Sequence, residues 1–89
     1  MRESKVETDL VDAAAKEGWS SFKLSKSETR GRPDRWFYRN PAIVKPIEIK
    51  APGERPTRQQ LKRIEELRAN GFDADWCDNV EDGLAILRR

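Results

Sequence analysis

Two acidic residues and one lysine in the middle of the chain have the side-chain types and the spacing for chemistry on an anionic phosphate. Residues 47–50 alternate apolar and polar, so Glu48 and Lys50 project from one face of a predicted strand while the isoleucines pack on the other. Asp34 lies fourteen positions before Glu48, which suits two neighbouring antiparallel strands joined by a short turn. This arrangement brings the two carboxylates side by side.

Two carboxylates are enough protein ligands for a magnesium ion, which keeps several waters and binds substrate phosphate directly. The lysine can meet that phosphate or the attacking water. An acid and a lysine two positions apart also occur by chance in a chain in which 38% of the residues are charged. For these residues alone, the alternative is an ordinary solvated strand face.

Further motifs accompany this pair along the chain. Glu7 lies in an N-terminal helical pattern, Gly31-Arg-Pro-Asp34 precedes a hairpin, and Ile47-Glu-Ile-Lys-Ala-Pro-Gly53 leads into a helix that carries Gln60. Over nearly the full length, this order resembles the VRR-NUC (virus-type replication-repair nuclease) family of the PD-(D/E)XK superfamily, which is similar to Holliday-junction resolvases. The resemblance implies a metal-dependent endonuclease that uses Mg²⁺ or Mn²⁺ and acts on branched DNA.

The resemblance also implies roles for individual residues. Asp34 and Glu48 would bind the metal together with the backbone carbonyl of Ile49. Lys50 would position or help deprotonate the hydrolytic water and offset the charge that develops on the phosphate.

Two more catalytic residues follow from the resemblance, and each has a structural alternative. Glu7 would reach the metal directly or through water, and Gln60 would lie beside the active site. However, Glu7 is also the third helical residue after Ser4, and Gln60 stands in the same relation to Thr57. Both pairs fit capping boxes, so the sequence leaves both readings open.

Basic residues are concentrated before and after the predicted metal site and could contact the phosphate backbone from one surface. The alternative is that they are solvated charges balanced by neighbouring acids. The residues assigned to DNA binding are Lys26, Arg30, Arg32, Arg35, Arg55, Arg58 and Lys62.

Periodicity and turn residues predict an α/β fold with a small mixed β-sheet flanked by helices, in the order α-β-β-β-α-β-α. Pro46 predicts a bulge or an unpaired side in the third strand. Leu61, Ile64 and Leu67 are predicted to face inward from the second helix. The predicted ranges are a helix from 4 to 18, strands at 19–24, 34–38 and 43–50, a helix at 57–71, a strand at 72–77 and a helix at 80–87.

Composition limits the remaining functional classes. The chain of 89 residues is expected to be a single stand-alone domain, 1–89, and has neither an apolar run long enough for a bilayer nor a signal peptide. Histidine is absent and Cys77 is the sole cysteine, which excludes a disulfide framework, a zinc site and a histidine base within the chain. Cys77 is expected to pack in a strand. The expected compartment is the cytoplasm of a bacterial host cell, and the small size is compatible with a phage enzyme.

Several large aromatic residues in a small sheet favour a homodimer, whose twofold axis would match that of a four-way junction. Stacking of these rings on unpaired bases is the alternative. Three functions remain open: junction resolution by a homodimer, trimming of flaps or single-strand ends with replication or repair proteins, and a non-catalytic DNA-binding module. The intact acid and lysine set argues against the third, because acids facing phosphate require an intervening cation.

Overall fold

The computed structural model describes residues 2–25 and 31–89, and Lys26 and Arg30 lie outside this part of the chain. The predicted fold class and element order are confirmed. None of the helices in the described part is long and apolar enough to cross a bilayer. The elements are α1 (Glu3–Ala15), β1 (Ser20–Lys23), β2 (Arg35–Arg39), β3 (Ile43–Ile49), α2 (Arg58–Ala69), β4 (Asp75–Cys77) and α3 (Val80–Arg88).

The four strands form one sheet in the order β1-β2-β3-β4. The first three are antiparallel neighbours, and β4 is parallel to β3, as expected when a helix crossover joins two strands. β4 is shorter than the predicted range because the backbone amide of Phe72 donates to the carbonyl of Leu67 at 3.0 Å. Residues after α2 therefore close the helix end before the strand begins.

Pro46 lies within β3 without disturbing its register. It pairs with Trp36 in an unbroken run between β2 and β3, so no bulge is present in that pairing. The pairing with β4 begins one residue later, at Ile47 opposite Asp75. Of the two predicted outcomes, a bulge or an unpaired side, the structure shows the unpaired side, which faces β4.

The hydrophobic core lies between one face of the sheet and the pair α1 and α3. Val6 and Leu10 from α1 pack in it with Phe37 from β2 and Ile47 from β3. α1 begins at Glu3 with Arg2 as its N-cap and has no side-chain capping bond. The predicted capping box at Ser4 is therefore wrong, because the helix starts earlier, and the glutamate that it would have used is free to act elsewhere.

α2 begins at the predicted capping box, with both reciprocal bonds between Thr57 and Gln60 formed. Its only buried residue is Ile64, whereas Leu61 is 43% exposed. The prediction that Leu61 faces inward is wrong, because α2 buries a much narrower stripe than its apolar spacing indicates. α2 consequently leaves most of its polar surface open.

Gly83 allows the close packing of α3 on α1. A Cβ at this position would lie 2.7 Å from Leu10 Cδ2 and 3.2 Å from Cys77 Sγ. Alanine normally stabilises a helix interior relative to glycine, but here we expect Gly83→Ala to lower the free energy of unfolding by about 2 kcal/mol through overpacking. Urea unfolding measures this change. A variant as stable as the wild type, or more so, would show that the helices separate without cost.

Candidate active site

β2 and β3 bring the three central residues of the predicted site together. Arg35, the first residue of β2, pairs with Ile47, and Asp34 just before it lies close enough for its charge to act on Glu48. Glu48 is buried, with 6% of its side chain exposed, and its Oε2 lies 3.9 Å from Lys50 Nζ. Strand alternation therefore places these polar side chains opposite the isoleucine face, which packs in the core.

Glu48 is a buried carboxylate whose charge is poorly compensated. Burial is the main cause that raises its pKa to about 7, and the negative charges of Asp34, Glu3 and Glu7 raise it further. The ammonium of Lys50 acts in the opposite direction but lies beyond hydrogen-bonding distance. A carboxylate in this state favours a proton or a bound cation.

Glu7 reaches the same region from α1, and its side chain is 13% exposed. Its Oε2 accepts a hydrogen bond from Arg35 Nε at 2.9 Å, and its Oε1 lies 3.5 Å from Lys23 Nζ. Lys23 also lies 3.9 Å from Asp34 Oδ2. Glu7 thus lies among the acids of the predicted site and has no capping role.

Sequence reasoning assigned no role at the site to two residues that act on these acids, Glu3 and Lys23. Glu3 stands four residues before Glu7, a spacing that puts both acids on one helix face and could have identified it. Lys23 had no comparable signal, because its two carboxylate partners belong to α1 and to the segment before β2. We use the name acid cluster for Glu3, Glu7, Asp34 and Glu48.

Gln60 is occupied by its capping role. Its side-chain Oε1 accepts a hydrogen bond from the backbone amide of Thr57 at 2.8 Å, while the backbone amide of Gln60 donates to Thr57 Oγ1 at 3.1 Å. The side-chain oxygen is therefore engaged at the helix start, and its catalytic role stays a prediction that this contact disfavours.

The basic residues divide into three settings. Arg35 is only 19% exposed and also donates to Ser21 Oγ at 3.3 Å, so it orients Glu7 from within the structure instead of facing solvent. Arg55 lies 5.9 Å above the ring of Trp76, and Arg32 is exposed before β2. The third setting is a groove of about 420 Å³ along α2, lined by Arg58, Gln59, Lys62 and Arg63.

The donor set fits a hard divalent cation. Within residues 2–25 and 31–89, no three His, Cys, Asp or Glu side chains lie close enough together to hold a metal ion by themselves. Magnesium does not require three, because water and phosphate supply much of its coordination. Asp34 and Glu48 supply carboxylate oxygens, which such an ion prefers, and a cation would relieve the poorly compensated burial of Glu48.

Cys77 is buried in the core, as predicted, and burial raises the pKa of its thiol to about 12. The thiolate needed for nucleophilic attack is therefore almost absent at neutral pH. Cys77 is therefore a core residue, and not a nucleophile.

The sheet face that carries Glu48 also holds an open patch of aromatic rings. Phe22 and Tyr38 are 44% and 43% exposed, and the centroid of Phe22 lies 6.1 Å from that of Trp36. Phe72 packs against Trp36 at 5.4 Å. These four residues, called the aromatic face below, line a groove of about 770 Å³ that has Arg39 at its rim and no acidic residue in its described lining.

Comparison with known proteins shows which proteins this chain resembles in sequence and in fold. No protein-family profile matches it. The chain is 37% identical over 87 residues to "Putative nuclease p44" of Acyrthosiphon pisum secondary endosymbiont phage 1, covering 98% of this chain and 92% of the phage protein. A solved structure described as "VRR_NUC domain" superposes with a TM-score of 0.83 over 98% of this chain and 95% of its own, at 19% identity. With the fold of that VRR_NUC domain and 37% identity to the phage protein over nearly its whole length, the protein belongs to the same family as that phage nuclease.

Proposed function

We propose that the protein is a Mg²⁺- or Mn²⁺-dependent endonuclease that cleaves branched DNA, with four-way junctions as its preferred substrate. The observation that carries this proposal is Glu48, a buried acid beside Lys50 and near Asp34, whose charge the fold leaves poorly compensated. Such a carboxylate is costly to ionise unless a cation binds. Membership of a nuclease family and the donor set support a metal-assisted hydrolysis of the phosphodiester bond.

Each residue of the site has a distinct task in this proposal. A bound divalent cation would polarise the scissile phosphate and lower the pKa of a coordinated water. Asp34, Glu48 and the Ile49 carbonyl would hold it, and Glu7 would contact it directly or through water. Lys50 holds a positive charge next to Glu48 and would orient the attacking water and stabilise the charge on the phosphate. Arg35 keeps Glu7 in place through their 2.9 Å contact.

DNA contact is assigned to the exposed basic residues around this site. Arg58 and Lys62 share a groove on the open surface of α2, and Arg55 lies near Trp76, which pairs with Glu48 across the sheet. Phosphate contacts from this side would position the backbone above the acids. The proposed interface also includes Arg32 and, outside the described residues, Lys26 and Arg30.

We assign the aromatic face to the partner copy in a homodimer. α1 and α3 cover the opposite face of the sheet, whereas Phe22 and Tyr38 remain exposed in an apolar groove without acidic residues in its described lining. Apolar patches of this kind mark association surfaces. A twofold dimer would present two acid clusters to two related strands of a junction. The compartment in which the dimer would act is the cytoplasm of a bacterial host cell.

A cleavage assay tests the function. We expect the wild type to nick a labelled four-way junction near its crossover with Mg²⁺ or Mn²⁺, and to make no product in chelator. Asp34 is partly exposed, so Asp34→Asn should abolish the product while the chain stays folded. Junction binding without cleavage in any of these metals would support the DNA-binding module instead.

A second candidate is the trimming of flaps or single-strand ends, alone or with replication or repair proteins. The aromatic face supports it, because exposed rings near the acid cluster could stack on unpaired bases. The same assay on flap and plain duplex substrates separates this candidate from the resolvase. Light scattering of the protein gives its oligomeric state. A monomer that prefers flaps, and loses that preference in Tyr38→Ala, would favour this candidate over the resolvase.

A further inference from the structure

Lys23 links two acids that come from different parts of the chain. It stands at the end of β1, and its Nζ lies 3.5 Å from Glu7 Oε1 and 3.9 Å from Asp34 Oδ2. One ammonium group thus lies between a carboxylate of α1 and a carboxylate of the segment before β2. Its side chain is 49% exposed.

Lys23 differs from the other cation that contacts Glu7. Arg35 is 19% exposed, bonds Glu7 at 2.9 Å and also donates to Ser21. Its guanidinium is therefore held by two partners, Glu7 and Ser21. The two contacts of Lys23 are longer, and its four-carbon stem has many rotamers at a half-exposed position. Lys23 is therefore held less tightly by Glu7 than Arg35 is.

We propose that Lys23 is an exchangeable internal counter-cation of the acid cluster. It neutralises Glu7 and Asp34 before a divalent cation binds, and it moves from them to a DNA phosphate afterwards. This inference rests on the proposed function, since it takes the acid cluster as the cation site. Lys23 is then a positioning residue that sets metal affinity and couples it to DNA binding.

The physical reason is competition between like charges. A divalent cation that binds at Asp34 must share the carboxylates with an ammonium a few ångströms away, and this repulsion is only partly screened at a half-exposed site. Removing the ammonium should make the site more attractive to metal. The displaced ammonium would add one phosphate contact, which appears as about one unit in the salt dependence of DNA affinity.

Manganese binding without DNA tests the first half, measured by the electron paramagnetic resonance of free Mn²⁺. We expect Lys23→Gln to bind Mn²⁺ roughly tenfold more tightly than the wild type, on the scale of a close charge pair. Lys23→Arg keeps the charge and should resemble the wild type. Lys16→Gln removes an equal charge from an exposed position at the end of α1 and should also leave the affinity unchanged.

DNA binding tests the second half, with Ca²⁺ as the cation. The salt slope of Lys23→Gln should be smaller than that of the wild type by about one in Ca²⁺ and equal to it in chelator. If the wild type binds Mn²⁺ and Lys23→Gln binds it equally or more weakly, this inference is wrong while the proposed function stands. If the wild type binds no Mn²⁺, the proposed function is wrong, and the inference that rests on it is wrong as well.

Discussion

Lys50→Ala is expected to lower the rate of junction cleavage at saturating metal by about 100- to 1000-fold, the usual loss when one preorganised charge is removed from a reacting phosphate. Lys50 is 13% exposed, and its Nζ lies 3.9 Å from Glu48. Its backbone amide is held by the carbonyl of Cys77 at 2.8 Å, so the substitution removes the ammonium without moving the strand. Single-turnover cleavage on a labelled junction measures the chemical step.

Binding provides the contrast that assigns this loss to catalysis. Lys50 is only 13% exposed and lies 3.9 Å from Glu48, so junction affinity in Ca²⁺ should change by less than about threefold, as for one partly screened charge. Lys16→Ala removes a charge from an exposed, distant position and should leave both quantities as in the wild type. A Lys50→Ala variant that cleaves normally, or one whose loss lies entirely in affinity, would remove this lysine from the mechanism.

The centre of the site could be predicted from sequence because it depends on local geometry. Strand alternation sets the side on which Glu48 projects, and the hairpin brings Asp34 near it, so their proximity follows from their spacing, whereas their binding of a metal stays a prediction. The reciprocal bonds at the start of α2 were equally local. The predicted capping box at Ser4 failed because α1 starts two residues earlier, with Arg2 as its N-cap.

The periphery of the site depends on how helices sit on the sheet, which local patterns do not encode. Arg35 was assigned to DNA, but the packing of α1 brings Glu7 within 2.9 Å of it. Leu61 has the spacing of a core residue, yet α2 buries only Ile64. Lys45 in β3 has only 5% of its surface exposed and donates to the carbonyls of Ile86 and Arg89. Partners that are distant in sequence decide each of these cases.

Glu48→Gln is expected to stabilise the metal-free protein at neutral pH although it removes a residue that the proposed mechanism uses. Burial raises the pKa of Glu48 from 4.5 to about 7 in the folded state. As pH rises from 4.5, the unfolded chain releases this proton first, so the folded state loses stability until about pH 7. The accumulated cost is roughly 3 kcal/mol, because one pKa unit corresponds to about 1.4 kcal/mol. A neutral glutamine of similar shape does not incur it.

Urea unfolding in chelator between pH 5 and pH 8 measures this effect. The advantage of Glu48→Gln should be small at pH 5 and approach roughly 3 kcal/mol at pH 8. Glu65→Gln, on the exposed side of α2, should show no comparable trend. Saturating Mg²⁺ should stabilise the wild type and reduce the difference, because a cation bound to the folded state offsets the buried charge. If Glu48→Gln is less stable than the wild type at pH 8 without metal, Lys50 and its surroundings already neutralise this carboxylate, and the argument for a cation here fails.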